Sequence, residues 1–232
     1  MRTFKALGAL MAYPTEELLA ALPLIRDVVA AERMLPLDLQ NAVFTLVDRL
    51  SAIDLMDLQE FYVELFDRTR SLSLHLYEHV WGDAGERGQA MVRLQTLYQL
   101  HGFSHTVSEL PDYLPLFCEF LSLIPDKAAR AFLSDAAPVI DVLRERLAQR
   151  QSPYAGAAAA LVALASKTVD RATLEQLSKG ALPDDDSFEA LDRAWEEEPV
   201  TFGPGDAAKS CRPNAAPANR ARDALKLEAS NV

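Results

Sequence analysis

Residues 110–124, LPDYLPLFCEFLSLI, constrain the fold more than any other stretch. After Tyr113 only Glu119 and Ser122 are clearly polar. Leu114, Leu116, Phe117, Phe120, Leu121, Leu123 and Ile124 cover nearly every face of a helix. A helix apolar on all sides is buried on several of them, so it belongs at the centre of other elements. Pro111 suits the first helical position and Asp112 the first turn, where its charge meets the positive end of the helix dipole. A capped helix start accounts for both residues, and Pro125 stops the helix.

The surrounding elements also read as helices. Phe4, Leu7, Leu10 and Met11 predict a first helix stopped by Pro14. Thr15 with Glu16 and Glu17 opens a second, in which Pro23 is expected to kink or split the pattern. Leu39, Val43, Leu46, Val47 and Leu50 predict a third, ending near Ser51. Residues 127–134 and 138–150 read as a helical pair, and the alanine-rich run 154–165 as a strong helix. No run reads convincingly as a strand, and no repeat of fixed period appears. The expectation is an all-α, compact multi-helix bundle over residues 1–180.

The composition changes after Gly180. Residues 184–198 hold eight carboxylates against Arg193 alone, a net −7. Beyond them the chain is rich in proline and small residues, with little to bury, so residues 181–232 are expected to form an acidic, flexible tail. Phe188, Leu191 and Trp195 fall at helical spacing and would suit a short docking helix.

Charge limits the partners. The 232 residues carry a net −11, which repels phosphate backbones and anionic lipid. No apolar run approaches the roughly 20 residues that span a bilayer, and the first residues lack a full signal-peptide pattern. Cys118 and Cys211 make neither a disulfide framework nor a CxxC pair. Cys118 reads as a small core residue. A cytoplasmic protein that binds neither nucleic acid nor membrane is the simplest expectation.

Residues 60–91 are different in character. Asp54 caps a helix whose stripe is Leu55, Leu58, Tyr62 and Leu65, widened by Phe61 and Phe66. Asp67, Arg68 and Arg70 then interrupt it with charge. Leu72, Leu74 and Leu76 alternate as a strand would, yet Leu72, Leu76 and Val80 also fit a short helix. Gly82, Gly85 and Gly88 precede a new helical stripe of Met91, Leu94, Leu97 and Tyr98, with Gly102 as its C-cap. The glycines make no phosphate loop, since the lysine-bearing motif is absent.

His75, Glu78 and His79 spell H-x-x-E-H, a zinc-protease pattern, and His101 and His105 are also four apart. A zinc-dependent hydrolase using His75, Glu78 and His79 is therefore the enzymatic alternative. Its weakness is the lack of a third ligand; surface or groove imidazoles are the plainer reading. No other catalytic set assembles, no cofactor is called for, and a non-enzymatic protein is expected. A structural subunit of a stable complex is a third reading.

The phrases YVELFDRTRSLSLHLYEHVWG, ERGQAM and ELPDYLPLFCEFLSLIP resemble the respiratory nitrate reductase delta-subunit (NarJ) family of assembly chaperones, in the wider TorD-like group. A looser likeness runs from FKALGALMAYPTEELLAALP to WEEEPVTFG. The resemblance implies a dedicated chaperone for the catalytic alpha subunit of nitrate reductase. It would bind the apo-subunit, including its N-terminal segment, and keep it competent for molybdenum cofactor insertion before membrane attachment. It implies a partner surface carried by Tyr62, Asp67, Arg68, Arg70, His75, Glu78, His79 and Arg87, with Tyr62 alternatively in the core and Asp67 leaning to a structural role. Glu109, Pro111 and Asp112 correspond to the E-P-D-H-type loop of the wider group. Tyr113 stands in place of its histidine and Leu110 is inserted, which separates this chain from any nucleotide-linked role of that loop.

Overall fold

The computed structural model describes residues 1–68, 70–79, 84–104 and 109–167, without side chains at 70 and 84–86. All of them lie in one of the two units into which the chain divides, Met1–Asp186. The expected tail, its docking helix, Cys211 and His105 lie outside the described residues.

Among the described residues the chain forms eight α-helices: α1 (Arg2–Leu10), α2 (Glu16–Glu32), α3 (Leu37–Ala52), α4 (Leu55–Tyr62), α5 (Ala84–Leu100), α6 (Leu114–Leu123), α7 (Asp126–Gln149) and α8 (Tyr154–Leu164). The helix starts follow local chemistry. Thr15 accepts the Leu18 N–H at 3.2 Å, and Asp54 accepts the Met56 N–H at 2.9 Å. Each satisfies one amide that has no partner within its own helix. Gly102 takes a left-handed φ of 73° just past α5, the geometry expected of it.

The apolar α6 is central, as its composition requires. Leu114, Phe117, Cys118, Phe120 and Leu121 are buried, and only Leu123 of its large apolar residues is well exposed. It packs on α1, which also packs on α2; α8 packs on α7 and α3. The α1–α6 approach is close because Gly8 has no side chain: a Cβ there would lie 2.5 Å from the Cys118 Cβ. Burial pushes the Cys118 thiol up to about 12, as suits a core residue.

Three expectations are corrected. Residues 127–149 are not a pair of helices but one, α7, which runs through Pro138. The proline gives up the bond to the carbonyl four residues earlier. Leu133, Ala137, Ile140 and Leu143 nevertheless keep one buried stripe on both sides of it, packed largely on α8. Continuous burial outweighs the ~3 kcal/mol penalty of an interior proline. Pro23 likewise does not split α2. Third, α6 begins at Leu114 rather than near Pro111, and Pro111 and Asp112 are buried ahead of it.

After α4 the backbone widens into a turn of π-helix, Val63–Asp67, which places the adjacent Leu65 and Phe66 both inside. The ambiguous leucines then resolve into two short 3-10 turns, Arg70–Leu72 and Leu76–His79. Between them His75 makes a single antiparallel bridge to Tyr113. Residues 71–74 are all buried, which defeats both a period of two and a helical period. Among the described residues no helix is long and apolar enough to cross a membrane.

Candidate functional site

The central stretch and the residues just before α6 are joined by a backbone clasp. Leu76 N–H donates to the Asp112 carbonyl at 3.0 Å, and Leu114 N–H donates to the Leu74 carbonyl at 2.9 Å. The Asp112 side chain is wholly buried and completes the join. Its Oδ2 accepts the Tyr77 N–H at 3.0 Å, and its Oδ1 lies 3.2 Å from His75 Nδ1. An ionised carboxylate only accepts, so His75 Nδ1 carries the proton. That hydrogen bond raises the His75 pKa above the ordinary histidine value, against the opposing effect of burial. From the other side, Tyr98 donates its hydroxyl to the Pro111 carbonyl at 2.7 Å.

In front of the clasp lies a cleft of about 220 Å³, lined by Tyr13, Tyr62, Asp67, His75, Glu109 and Tyr113 among others. Its floor is a chain of hydroxyls. Tyr62 donates to the Met11 carbonyl at 3.1 Å, and its oxygen lies 3.2 Å from that of Tyr113. Tyr62 has one proton and spends it on the carbonyl, so Tyr113 donates to Tyr62. Burial raises the pKa of Tyr62, which keeps the hydroxyl protonated. The Tyr13 ring meets Tyr62 edge-on at 5.4 Å, and the His75 and Tyr113 rings lie 5.4 Å apart. The result is an aromatic hollow with two carboxylates, Asp67 and Glu109, on its lining.

The residues expected to form a partner surface do not all come together. Tyr62, Asp67 and His75 share this cleft; Tyr62 is also core, as the alternative reading had it. Glu78 and Arg87 pair with each other at 3.1 Å, half-buried. Arg68 is exposed and lines a different hollow, beside Phe61 and Leu65. Arg70 opens the first 3-10 turn. His79 points inward: its Nε2 donates to the Ser73 carbonyl at 2.8 Å, which leaves Nδ1 to face Arg146 Nη1 at 3.5 Å. Burial lowers the His79 pKa, and the Arg146 charge adds to the effect.

That arrangement disposes of the zinc reading of H-x-x-E-H. His75 Nδ1 is held by Asp112, both nitrogens of His79 are engaged elsewhere, and Glu78 is tied to Arg87. Among the described residues, no group of three or more His, Cys, Asp or Glu side chains is placed to hold a metal.

Sequence reasoning missed Asp112, Tyr113, Glu109 and Tyr13 as parts of the site. The helix-start role expected of Asp112 is local, whereas its partners lie 35 and 37 positions back in the chain. The available signal was the likeness of Glu109, Pro111, Asp112 and Tyr113 to the E-P-D-H-type loop, directly ahead of an apolar helix.

The model of the family described as "Nitrate reductase delta subunit" matches residues 32–160, a span that contains the clasp and most of the cleft. The chain belongs to this family. Its members include the "Nitrate reductase molybdenum cofactor assembly chaperone NarJ" of Escherichia coli (strain K12), 40% identical over 204 residues, which cover 86% of this chain and 86% of that protein. The "Probable nitrate reductase molybdenum cofactor assembly chaperone NarW" of the same strain is 39% identical over 208 residues, 87% of this chain and 84% of that one. The "Probable nitrate reductase molybdenum cofactor assembly chaperone NarJ" of Bacillus subtilis (strain 168) is 31% identical over 157 residues, 66% of this chain and 82% of its own. In this chain the clasp closes the central stretch against the segment just before α6.

Proposed function

We propose that this chain is a system-specific, cytoplasmic chaperone for nitrate reductase. It binds the apo catalytic (alpha) subunit, including its N-terminal segment, and keeps that subunit competent for molybdenum cofactor insertion before membrane attachment. The observation that carries this reading is 40% identity, over 86% of the chain, with a molybdenum cofactor assembly chaperone. The site supports it in kind. The cleft offers aromatic surface and polar groups suited to gripping a side chain of a client segment.

The mechanism is a population shift. The chaperone binds the open client better than the closed one. Cofactor insertion closes the client; a client only about 1% open presents an apparent affinity about a hundredfold weaker, so the complex dissociates without any further event. Asp67 and His75 face the client in this scheme, with Tyr62 and Tyr113 as the floor. Arg68, Arg70, Glu78 and Arg87 extend the surface, and His79 supports it from behind.

Calorimetric titration of the full chain with the N-terminal peptide of a nitrate reductase alpha subunit tests the reading, with a scrambled peptide as control. Specific binding that weakens in an Asp67→Ala, His75→Ala variant is expected. Specific binding unchanged in that variant would move the site elsewhere. Failure to bind either the peptide or the apo-subunit would reject the function.

A further inference from the structure

One wall of the tyrosine cleft is made by residues 73–75, which lie between the two 3-10 turns and belong to no helix. Backbone groups there need partners from outside the segment. On one side they come from the clasp. The Leu114 N–H donates to the Leu74 carbonyl at 2.9 Å, and Asp112 takes the Tyr77 N–H at 3.0 Å. On the other side they come from α7 and the second turn. Arg146 Nη1 donates to the Ser71 carbonyl at 2.7 Å, and His79 Nε2 donates to the Ser73 carbonyl at 2.8 Å. The same Arg146 nitrogen lies 3.5 Å from His79 Nδ1, so one guanidinium faces both acceptors.

These contacts decide how the His79 ring is protonated. A guanidinium only donates, so Nδ1 beside it must accept, and the single proton of the ring sits on Nε2, where the Ser73 carbonyl takes it. Burial, with the Arg146 charge adding to it, lowers the His79 pKa and keeps a second proton off the ring; Glu78 and Asp112 act the other way. Ser73 passes the constraint forward. Its carbonyl is held from behind, while its Oγ accepts the His75 N–H at 3.2 Å, and both residues line the cleft. A connected path thus runs from α7 through His79 and Ser73 to His75. Its first step joins residues 67 positions apart in the chain.

We propose that Arg146 is a positioning residue for client recognition: from behind the loop it holds Ser73 and His75 in the arrangement that meets the client, and it does not touch the client itself. The inference rests on the tyrosine cleft being the client site. Without the guanidinium the Ser71 carbonyl loses this donor, and His79 Nδ1 is open to a second proton. The ring is then held on one side only and can turn. The wall exchanges among several arrangements, of which one matches the client. Where that arrangement holds about a tenth of the population, the apparent affinity falls about tenfold.

The test titrates the full chain with the N-terminal peptide of a nitrate reductase alpha subunit by calorimetry, in wild type, Arg146→Met and Arg146→Lys. Arg146→Met should bind about tenfold more weakly at unchanged stoichiometry. A misfolded fraction lowers the stoichiometry instead, so a role in stability alone does not give this result. Arg146→Lys keeps a cationic donor beside the Ser71 carbonyl and should recover most of the lost affinity. Nitrogen NMR of the imidazoles supplies a second readout. In wild type His79 should be neutral with its proton on Nε2, and in Arg146→Met it should take its second proton at higher pH. Unchanged affinity in Arg146→Met, a loss confined to the stoichiometry, or a His79 titration indifferent to the substitution would overturn the proposal, while wild-type binding leaves the function standing. Wild-type protein that binds neither the peptide nor the apo-subunit would overturn the reading of the site and this inference together.

Discussion

The buried carboxylate of Asp112 holds the backbone N–H of Tyr77 at 3.0 Å across 35 residues of sequence. The same side chain reaches His75, so one residue fixes the path of the chain between the two 3-10 turns and the orientation of the imidazole in the cleft. Its complete burial makes it costly to lose, because both half-buried donors would be left without their acceptor.

Replacing Asp112 should therefore hurt more than a surface carboxylate would. Asp112→Ala is expected to cost about 3 kcal/mol, and Asp112→Asn less, since the amide keeps one acceptor oxygen. Urea unfolding of the three proteins measures it. A loss under about 0.5 kcal/mol for the alanine variant would show that the clasp stands on its backbone bonds alone.

Tyr62→Phe removes the hydroxyl between the Met11 carbonyl and Tyr113 while keeping the ring contacts with Tyr13 and Phe66. The expected loss of stability is about 1 kcal/mol. Client peptide affinity should fall as well, because the Tyr113 hydroxyl loses its acceptor and can turn. Unchanged stability and affinity would remove the hydroxyl chain from the account of the site.

The two histidines of H-x-x-E-H should pull stability in opposite directions with pH. His75 has its pKa raised by Asp112 above the ordinary 6.5; its contribution is full below 6.5 and is lost as pH rises through the raised value. His79 has its pKa lowered by burial; its neutral form is the stable one, so stability falls as pH drops below 6.5 through the lowered value. Relative to wild type, the stability of His79→Ala should rise less as pH increases from the lowered His79 value to about 6.5, and that of His75→Ala should fall less as pH increases from about 6.5 through the raised His75 value. Urea midpoints across this range decide it; parallel pH profiles in all three proteins would contradict both assignments.

Gly8→Ala should destabilise the α1–α6 contact by about 1–3 kcal/mol, since the added methyl meets the Cys118 Cβ and the Pro115 carbonyl rather than a flexible chain end. A shift in thermal midpoint reports it. In a Cys118→Gly background the penalty should shrink, and a penalty that stays the same would locate the strain elsewhere.

Most of the helical architecture was legible because local rules and burial agreed. Thr15 and Asp54 cap the helices they were expected to cap, and the stripe of α3 and the all-round apolar α6 lie in the core. Where local propensity conflicted with burial, at Pro23 and Pro138, burial prevailed and the helices continued. The site was legible only in part. Tyr62, Asp67 and His75 stand close in sequence and meet in one cleft. Tyr13, Glu109, Asp112 and Tyr113 come to it from distant segments, and nothing in the spacing of an aspartate reveals an acceptor role toward a donor 35 residues away. His79 shows the converse: its pattern resembled a ligand, but the fold turned it inward.

Arg146 of α7 reaches the Ser71 carbonyl at 2.7 Å and the His79 ring from the far side of the cleft. With Asp112 it anchors the central loop to the body of the bundle at two points, neither of which a client would touch. Asp67 and Glu109 line the cleft and take part in neither anchor. Under the proposed client surface, exchanging Asp67 or Glu109 would change client preference while the two anchors keep the loop in shape, so a change of specificity in this chain requires no remodelling of the scaffold.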